Sequence, residues 1–220
     1  MFGRTRDISC LLLKNKSVNQ VAFCFDLDGT LTKEEILPII AKEVDLFEEI
    51  NILTDVTMKG FIPFTNSFKL RVRLLSEIAI PRIVDIVSSV TIDENLKVFI
   101  KANKDNCFVV TGNLDVWVEE MVQSNYGCQL YSSKADIKDN KIMGIKNILD
   151  KGTAIKELRN KYNKIVTVGD GMNDCSMFSE ADISIAYGGI HEPADSLVSL
   201  SNYVAYNSTT LVNLLNNLKW

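Results

Sequence analysis

The stretch Val21-Ala22-Phe23-Cys24-Phe25-Asp26-Leu27-Asp28-Gly29-Thr30-Leu31-Thr32 decides how the rest of the chain reads. Its first five residues are apolar without alternation, as suits a strand buried on both faces of a parallel sheet. At the end of such a strand Asp26 and Asp28 point into one crevice, where mutual repulsion favours a bound cation or a shared proton. A turn whose Asp side chains cap backbone amides is the alternative. An EF-hand loop fits poorly, because its sixth and twelfth positions, where Gly and Glu belong, hold Leu31 and Leu37.

Four more runs have the same character: Cys107 to Val110, Ile165 to Val168, Ile183 to Ala186 and Tyr203 to Tyr206. Residues of helical period lie between them, such as Val116, Val118, Met121 and Val122, or Ile155, Leu158 and Tyr162. Alternating strands and helices predict an α/β fold with a doubly wound parallel sheet, in which chemistry gathers beyond the carboxyl ends of the strands. Phe25 and Cys107 are 82 positions apart, too far for one crossover helix. Amphipathic patterns fill that gap at Ile36 to Val44, Phe68 to Ile78 and, after Pro81, Ile83 to Val87. The expected organisation is a helical cap at 36–95 inserted after the first strand of a core made of 21–35 and 96–220, with an extension at 1–20. Lys134 to Gly144 alternates around Asp139-Asn140 and reads as a hairpin.

With 220 residues, 46% hydrophobic and 24% charged, the chain can build an ordinary globular core, which excludes disordered and fibrous readings. A net charge of −4 supplies no basic footprint, so nucleic acid is not an expected partner. The five cysteines, Cys10, Cys24, Cys107, Cys128 and Cys175, form no Cys-x-x-Cys pair and read as reduced thiols. No apolar run approaches a membrane span, and Ile8 to Leu13 is too short for a secretory signal, so a cytoplasmic protein without a membrane partner is expected. The single histidine, His191, falls in a turn-like stretch and reads as a loop residue.

Other strand ends repeat the acidic and glycine-rich pattern. Ile165 to Val168 leads into Gly169-Asp170-Gly171-Met172-Asn173-Asp174, where glycines let the backbone turn and approach a ligand. Asp26, Asp28 and Asp170 together offer the hard oxygen ligands that Mg2+ prefers, while no His or Cys is placed to favour a transition metal. Thr111-Gly112-Asn113 closes the second run with a hydroxyl and accessible amides, an anion site. Lys151 opens a later helix and can reach inward as a point charge, although a solvated lysine is the simpler reading of that residue alone.

This succession resembles the haloacid dehalogenase superfamily of aspartyl-phosphate-forming enzymes, whose four motifs match Asp26/Asp28, Thr111, Lys151 and Asp170/Asp174. The insertion after the first motif resembles the branch with a helical cap. Within that branch the chain is similar to phosphoserine phosphatases, with Glu35 nine positions after Asp26 and a cap pattern matched by Met58, Gly60, Phe64, Ser67 and Arg71. The resemblance implies a small phosphorylated metabolite as partner, with O-phosphoserine hydrolysed in a Mg2+-dependent reaction. It implies Asp26 as nucleophile, Asp28 as acid and base, Asp170 as metal ligand and Asp174 as the group that orients Lys151. Thr111, Gly112, Lys151 and Asn173 would hold phosphate, Glu35 the substrate ammonium and Arg71 its carboxylate, under an apolar lid of Met58 and Phe64. Asn113 and Gly29 depart from the usual pattern, and Asn113 places a side chain beside the substrate. Another phosphorylated metabolite, phosphotransfer to an acceptor alcohol, and a non-catalytic binding domain are the competing readings.

Overall fold

In the computed structural model, which describes residues 21–219, β1 (Val21–Phe25), β2 (Cys107–Leu114), β3 (Gln129–Lys138), β4 (Lys141–Asn147), β5 (Lys164–Gly169), β6 (Ile183–Tyr187) and β7 (Tyr203–Ala205) form one sheet. The expected extension at 1–20 lies outside the described residues. The strand order is β4-β3-β2-β1-β5-β6-β7. Successive strands run outward from β1 first on one side and then on the other, so the topological switch falls at β1, beside β2 and β5.

The unbroken apolar run of β1 has a simple cause. Phe23 and Phe25 enter one core cluster while Ala22 and Cys24 enter another on the opposite face, and all four are buried. Each such Phe contributes about 1.5–3 kcal/mol relative to exposure. Phe23 and Phe25 both meet Phe99 edge-on, with ring centroids 5.4 and 6.3 Å apart. Phe99 belongs to α5 (Glu94–Ala102), whose first turn is capped by Asp93 accepting from Leu96 N at 3.1 Å.

Between β1 and α5 the long gap holds four α-helices: α1 (Ile36–Ala41), α2 (Phe47–Met58), α3 (Phe64–Leu75) and α4 (Ile80–Ser88). Pro81 sits in the first turn of α4, where its missing N–H costs nothing. An antiparallel bridge between Thr32 and Ile92 ties the entry of this segment to its exit. Helices α6 (Asp115–Asn125), α7 (Lys151–Leu158), α8 (Cys175–Ser179), α9 (Asp195–Leu200) and α10 (Ser208–Asn217) complete the layers.

The sheet is parallel from β3 to β7, as expected, and β4 adds one antiparallel strand at its edge. β4 pairs antiparallel with β3, because Asp139 and Asn140 both take positive φ, 50° and 59°, and close a two-residue hairpin turn. The hairpin read at 134–144 is thus the outer end of a longer β3, which also pairs parallel with β2.

Candidate active site

Asp26 leaves β1 at the switch point, its amide donating to Val168 O at 2.9 Å, and its carboxylate is 4% exposed. Lys151, in the first turn of α7, reaches it from the far side. Asp150 caps that helix by accepting from Gly152 N at 3.1 Å, which turns Lys151 inward. The Lys151 Nζ donates to Asp26 Oδ1 and, at 2.6 Å, to Asp174 Oδ1. Asp174 Oδ2 in turn accepts from the amides of Asp170 at 3.0 Å and Gly171 at 3.1 Å. One buried carboxylate therefore orients both the lysine and the loop that carries Asp170.

Asp28 has a different environment. Its Oδ1 accepts from Ile36 N at 2.8 Å at the start of α1, and its Oδ2 accepts from the Asn113 amide. Thr111 is 1% exposed and receives the Asn113 backbone N–H at 3.2 Å. Asp170 Oδ1 accepts from Thr30 Oγ1 at 3.1 Å. Asp26, Asp170 and Asp174 bring carboxylate oxygens within 4.8 Å of one another, whereas both oxygens of Asp28 are engaged elsewhere.

A cleft of about 490 Å3, mouth included, opens above these groups. Core residues Asp26, Asp28, Thr111, Gly112, Asn113, Asp170 and Asn173 form its floor, and Glu35, Thr54, Met58, Phe64 and Arg71 line it from the helical side. Every sequence-predicted site residue except Lys151 and Asp174 lines this cleft, and those two lie directly beneath Asp26. Arg71 is 5% exposed and held by Nη1 donating to Thr54 Oγ1 at 2.9 Å, while its Nε has no partner. Glu35 Oε1 and Asn113 Oδ1 are likewise buried without partners among the described residues. Phe64 stacks on Phe68, centroids 5.2 Å apart, and its ring lies over Gly112.

Two residues escaped the sequence reading. Thr54 shares a face of α2 with Met58, a spacing of four that signals a common direction but not a hydrogen bond to Arg71. His191, read as a loop residue, does lie in a loop, yet its Nε2 is 2.5 Å from Asp170 Oδ2. The expectation that no histidine reaches the acids is corrected: the segment after β6 folds back over the carboxyl end of β5, as Ala194 N donating to Asp170 O at 3.0 Å records.

The site is rich in negative charge. Burial, reinforced by neighbouring carboxylates, holds Asp26 and Glu35 well above the ordinary carboxyl range, with Lys151 and Arg71 opposing the shift at Asp26 and Glu35 respectively. Asp28 is raised by burial against the opposing Ile36 amide, Lys151 and Asn113. Burial also raises Asp170, against the opposing contact with His191. Lys151 stays firmly protonated because Asp174 and Asp26 overcome the cost of its burial. His191 is raised by its contact with Asp170. Among the described residues Asp26, Asp28, Glu35, Asp170 and Asp174 thus face only Lys151, Arg71 and His191, and a donor set short of positive charge fits a divalent cation.

The family model described as haloacid dehalogenase-like hydrolase matches residues 21–182. The phosphoserine phosphatase of Methanocaldococcus jannaschii is 31% identical over 175 residues, which cover 74% of this chain and 83% of that protein. The phosphoserine phosphatase of Archaeoglobus fulgidus is 27% identical over 199 residues, 84% of this chain and 58% of the longer relative. Among solved structures, a phospho-aspartyl intermediate analogue of phosphoserine phosphatase matches with a TM-score of 0.78 at 25% identity, covering 89% of this chain and 98% of that one. No helix of the described residues is long and apolar enough to cross a membrane.

Proposed function

The chain belongs to the haloacid dehalogenase-like hydrolase family, in its phosphoserine phosphatase-like branch, and on that premise we propose that it hydrolyses O-phosphoserine through an aspartyl phosphate on Asp26, with Mg2+ as cofactor. The observation that carries this reading is the pairing, across one cleft, of a buried Asp26–Lys151–Asp174 cluster with Glu35 and Arg71, two side chains of opposite charge that each leave one buried polar atom without a hydrogen-bond partner, Oε1 and Nε respectively. A zwitterionic amino acid supplies the complement to both charges, and a phosphoryl group supplies the charge that Lys151 can take up.

In the first half-reaction an Asp26 carboxylate oxygen bonds to phosphorus as the bond to the serine oxygen breaks. Asp28 gives that oxygen a proton, which its raised affinity for protons suits. In the second half-reaction Asp28 takes a proton from water, the water oxygen bonds to phosphorus, and the Asp26 carboxylate is released with free phosphate. Lys151, Thr111 and the amide of Gly112 pair with phosphoryl oxygens, and Asn173 lies beside them at the cleft floor. Asp174 keeps Lys151 pointed at the nucleophile. The cation would be held by Asp26 and Asp170, because the carboxylate of Asp28 is committed to Ile36 and Asn113. When bound it supplies positive charge to the phosphoryl oxygens.

Residues 36–95 act as a cap on the core of 21–35 and 96–220, with Met58 and Phe64 as the apolar wall that excludes water over the phosphate. The buried free thiols Cys24, Cys107 and Cys128 suit a reducing, cytoplasmic setting.

The test is a phosphomonoester panel run with and without Mg2+. O-phosphoserine should exceed phosphoethanolamine, which lacks the carboxylate, and 3-phosphonooxypropanoate, which lacks the amine. Asp26→Asn should abolish turnover and trapping of the aspartyl phosphate; substantial activity in that variant refutes the nucleophile assignment.

A further inference from the structure

Asn113, the next-to-last residue of β2, is 3% exposed and lines the cleft together with Glu35 and Arg71. Its side chain is held from one end only. Nδ2 donates to Asp28 Oδ2 and, at 3.3 Å, to Thr111 Oγ1, which also accepts the Asn113 backbone N–H at 3.2 Å. Turning the amide over would set its oxygen against the Asp28 carboxylate and break both side-chain bonds, so the donor end belongs to Asp28 and the acceptor end is left for the cleft. That acceptor, Oδ1, is buried without a hydrogen-bond partner among the described residues. A dry, unpaired carbonyl oxygen costs free energy that a donor arriving with a ligand would recover.

Glu35 lies on the other side of the same acid. Of the neighbouring charges that raise Glu35, that of Asp28 is the strongest, so the Glu35 carboxyl and the Asn113 amide flank one carboxylate. An ammonium group drawn to Glu35 brings three N–H donors, and the unpartnered Glu35 oxygen takes one. The Asn113 oxygen is a second acceptor at this end of the cleft, whereas Arg71 and Lys151 carry donors only.

We propose that Asn113 Oδ1 accepts a hydrogen bond from the substrate ammonium beside Glu35, and so sets a preference for amino-acid phosphomonoesters over their amine-free analogues. This deepens the O-phosphoserine reading and rests on it. Glu35 supplies the charge; Asn113 supplies a neutral acceptor that an amine-free substrate leaves unpaired. A pocket rejects an analogue most strongly when its own buried polar groups lose their partner.

The experiment measures kcat/KM in Mg2+ for O-phosphoserine and for 3-phosphonooxypropanoate with the wild type, Asn113→Gly and Asn113→Leu. The ratio of the two values is the readout, because what a substitution does through Asp28 acts on both substrates alike and cancels. The preference for O-phosphoserine should fall about 10-fold or more in both variants, the worth of a hydrogen bond to a charged group. It should fall further in Asn113→Leu, since the space left by glycine admits a water that can stand in for the lost acceptor. Two variants of opposite bulk, each checked by thermal melt, keep the test decisive if one fails to fold. A ratio within threefold of the wild type, however far both rates fall, overturns the inference and leaves the O-phosphoserine reading intact, with Asn113 serving Asp28 alone. A wild type that cleaves the two substrates equally well overturns both.

Discussion

Gly112→Ala isolates the closing of the apolar wall from the chemistry beneath it. Position 112 lies in β2 without a positive φ, so alanine meets no backbone strain. Its Cβ would stand 3.0 Å from Phe64 Cε1 and 3.1 Å from Cε2, with Cζ nearer still. Ordinary carbon contacts begin at about 3.5 Å, so the ring must withdraw by roughly 1 Å. It has no easy way to do so, because it stacks on the buried Phe68 at an interplanar angle of 13°. Helix α3 itself must therefore back off, and it carries Arg71 with it. A misplacement of about 1 Å at a positioning group costs on the order of 100-fold, so kcat/KM should fall about 100-fold, equivalent to about 2.7 kcal/mol. Overpacking costs stability about 1–3 kcal/mol, which lowers Tm by several degrees and leaves the chain folded. Steady-state kinetics and thermal melts on Gly112→Ala, Phe64→Leu and the double variant decide the matter. The double variant should recover at least about 10-fold over Gly112→Ala, because a smaller side chain at 64 vacates the contested space. Activity of Gly112→Ala within threefold of wild type, or no recovery in the double variant, refutes the close approach of Phe64 to the phosphate floor.

Replacing Arg71 with Met should lower kcat/KM for O-phosphoserine roughly 10- to 100-fold, the worth of a hydrogen bond to a charged group, while phosphoethanolamine is affected little; Glu35→Gln should give the mirror result with 3-phosphonooxypropanoate as the insensitive substrate. Asp26, Asp28, Glu35 and Asp170 bind protons more tightly folded than unfolded, so in chelator their stabilisation is present at acid pH and fades as pH rises from about 4 through their folded pKa values. His191, raised by Asp170, acts in the same direction. Tm measured in chelator at pH 5 and pH 7 should therefore decline more steeply for the wild type than for Asp170→Asn, and added divalent cation should remove the difference; equal slopes would contradict the assigned shifts. Burial pushes the thiols of Cys24 and Cys107 far up and that of Cys128 to about 11, so of the four cysteines among the described residues a thiol reagent at pH 8 should modify the half-buried Cys175 first and Cys24, Cys107 and Cys128 only on unfolding. Labelling of Cys24 as fast as Cys175, read by peptide mass spectrometry, would contradict that order.

What could be read from sequence follows from where the constraints are local. Cys107 to Val110 and Ile165 to Val168 announced strands because both faces of each are covered, which forces apolar residues at every position. The turn at Asp139-Asn140 was legible because few residues tolerate positive φ twice in succession. The inner part of β3 was not, since Gln129, Leu130 and Tyr131 are only partly covered and carry no pattern of their own. Asp26, Asp28, Asp170 and Asp174 stood out by following buried strands, and Arg71 only through its place in a family pattern. His191 had no local signal at all: its meaning depends on a fold-back toward Asp170 and on the missing side chain at Gly29, neither of which is written near it.

The two acids of the first motif share a strand end, yet their surroundings separate them. Asp26 touches an ammonium that is itself locked by Asp174, so a cation opposes the upward push of burial at the proposed nucleophile. Asp28 is gripped by neutral donors, the Ile36 amide and the Asn113 side chain, with Lys151 acting on it only from a distance. Burial raises both carboxyls, Asp26 well above the ordinary range despite Lys151 and Asp28 against the Ile36 and Asn113 donors that favour its charged form, so the roles proposed for them follow from position: Asp26 lies against the Lys151 ammonium and Asp28 beside Asn113. Asn113 belongs to this division of labour. Its amide nitrogen donates to Asp28, so its oxygen faces away, and that buried oxygen has no hydrogen-bond partner among the described residues. The residue that departs from the phosphoserine phosphatase pattern therefore touches Asp28 with its amide nitrogen and leaves a buried acceptor open at the cleft.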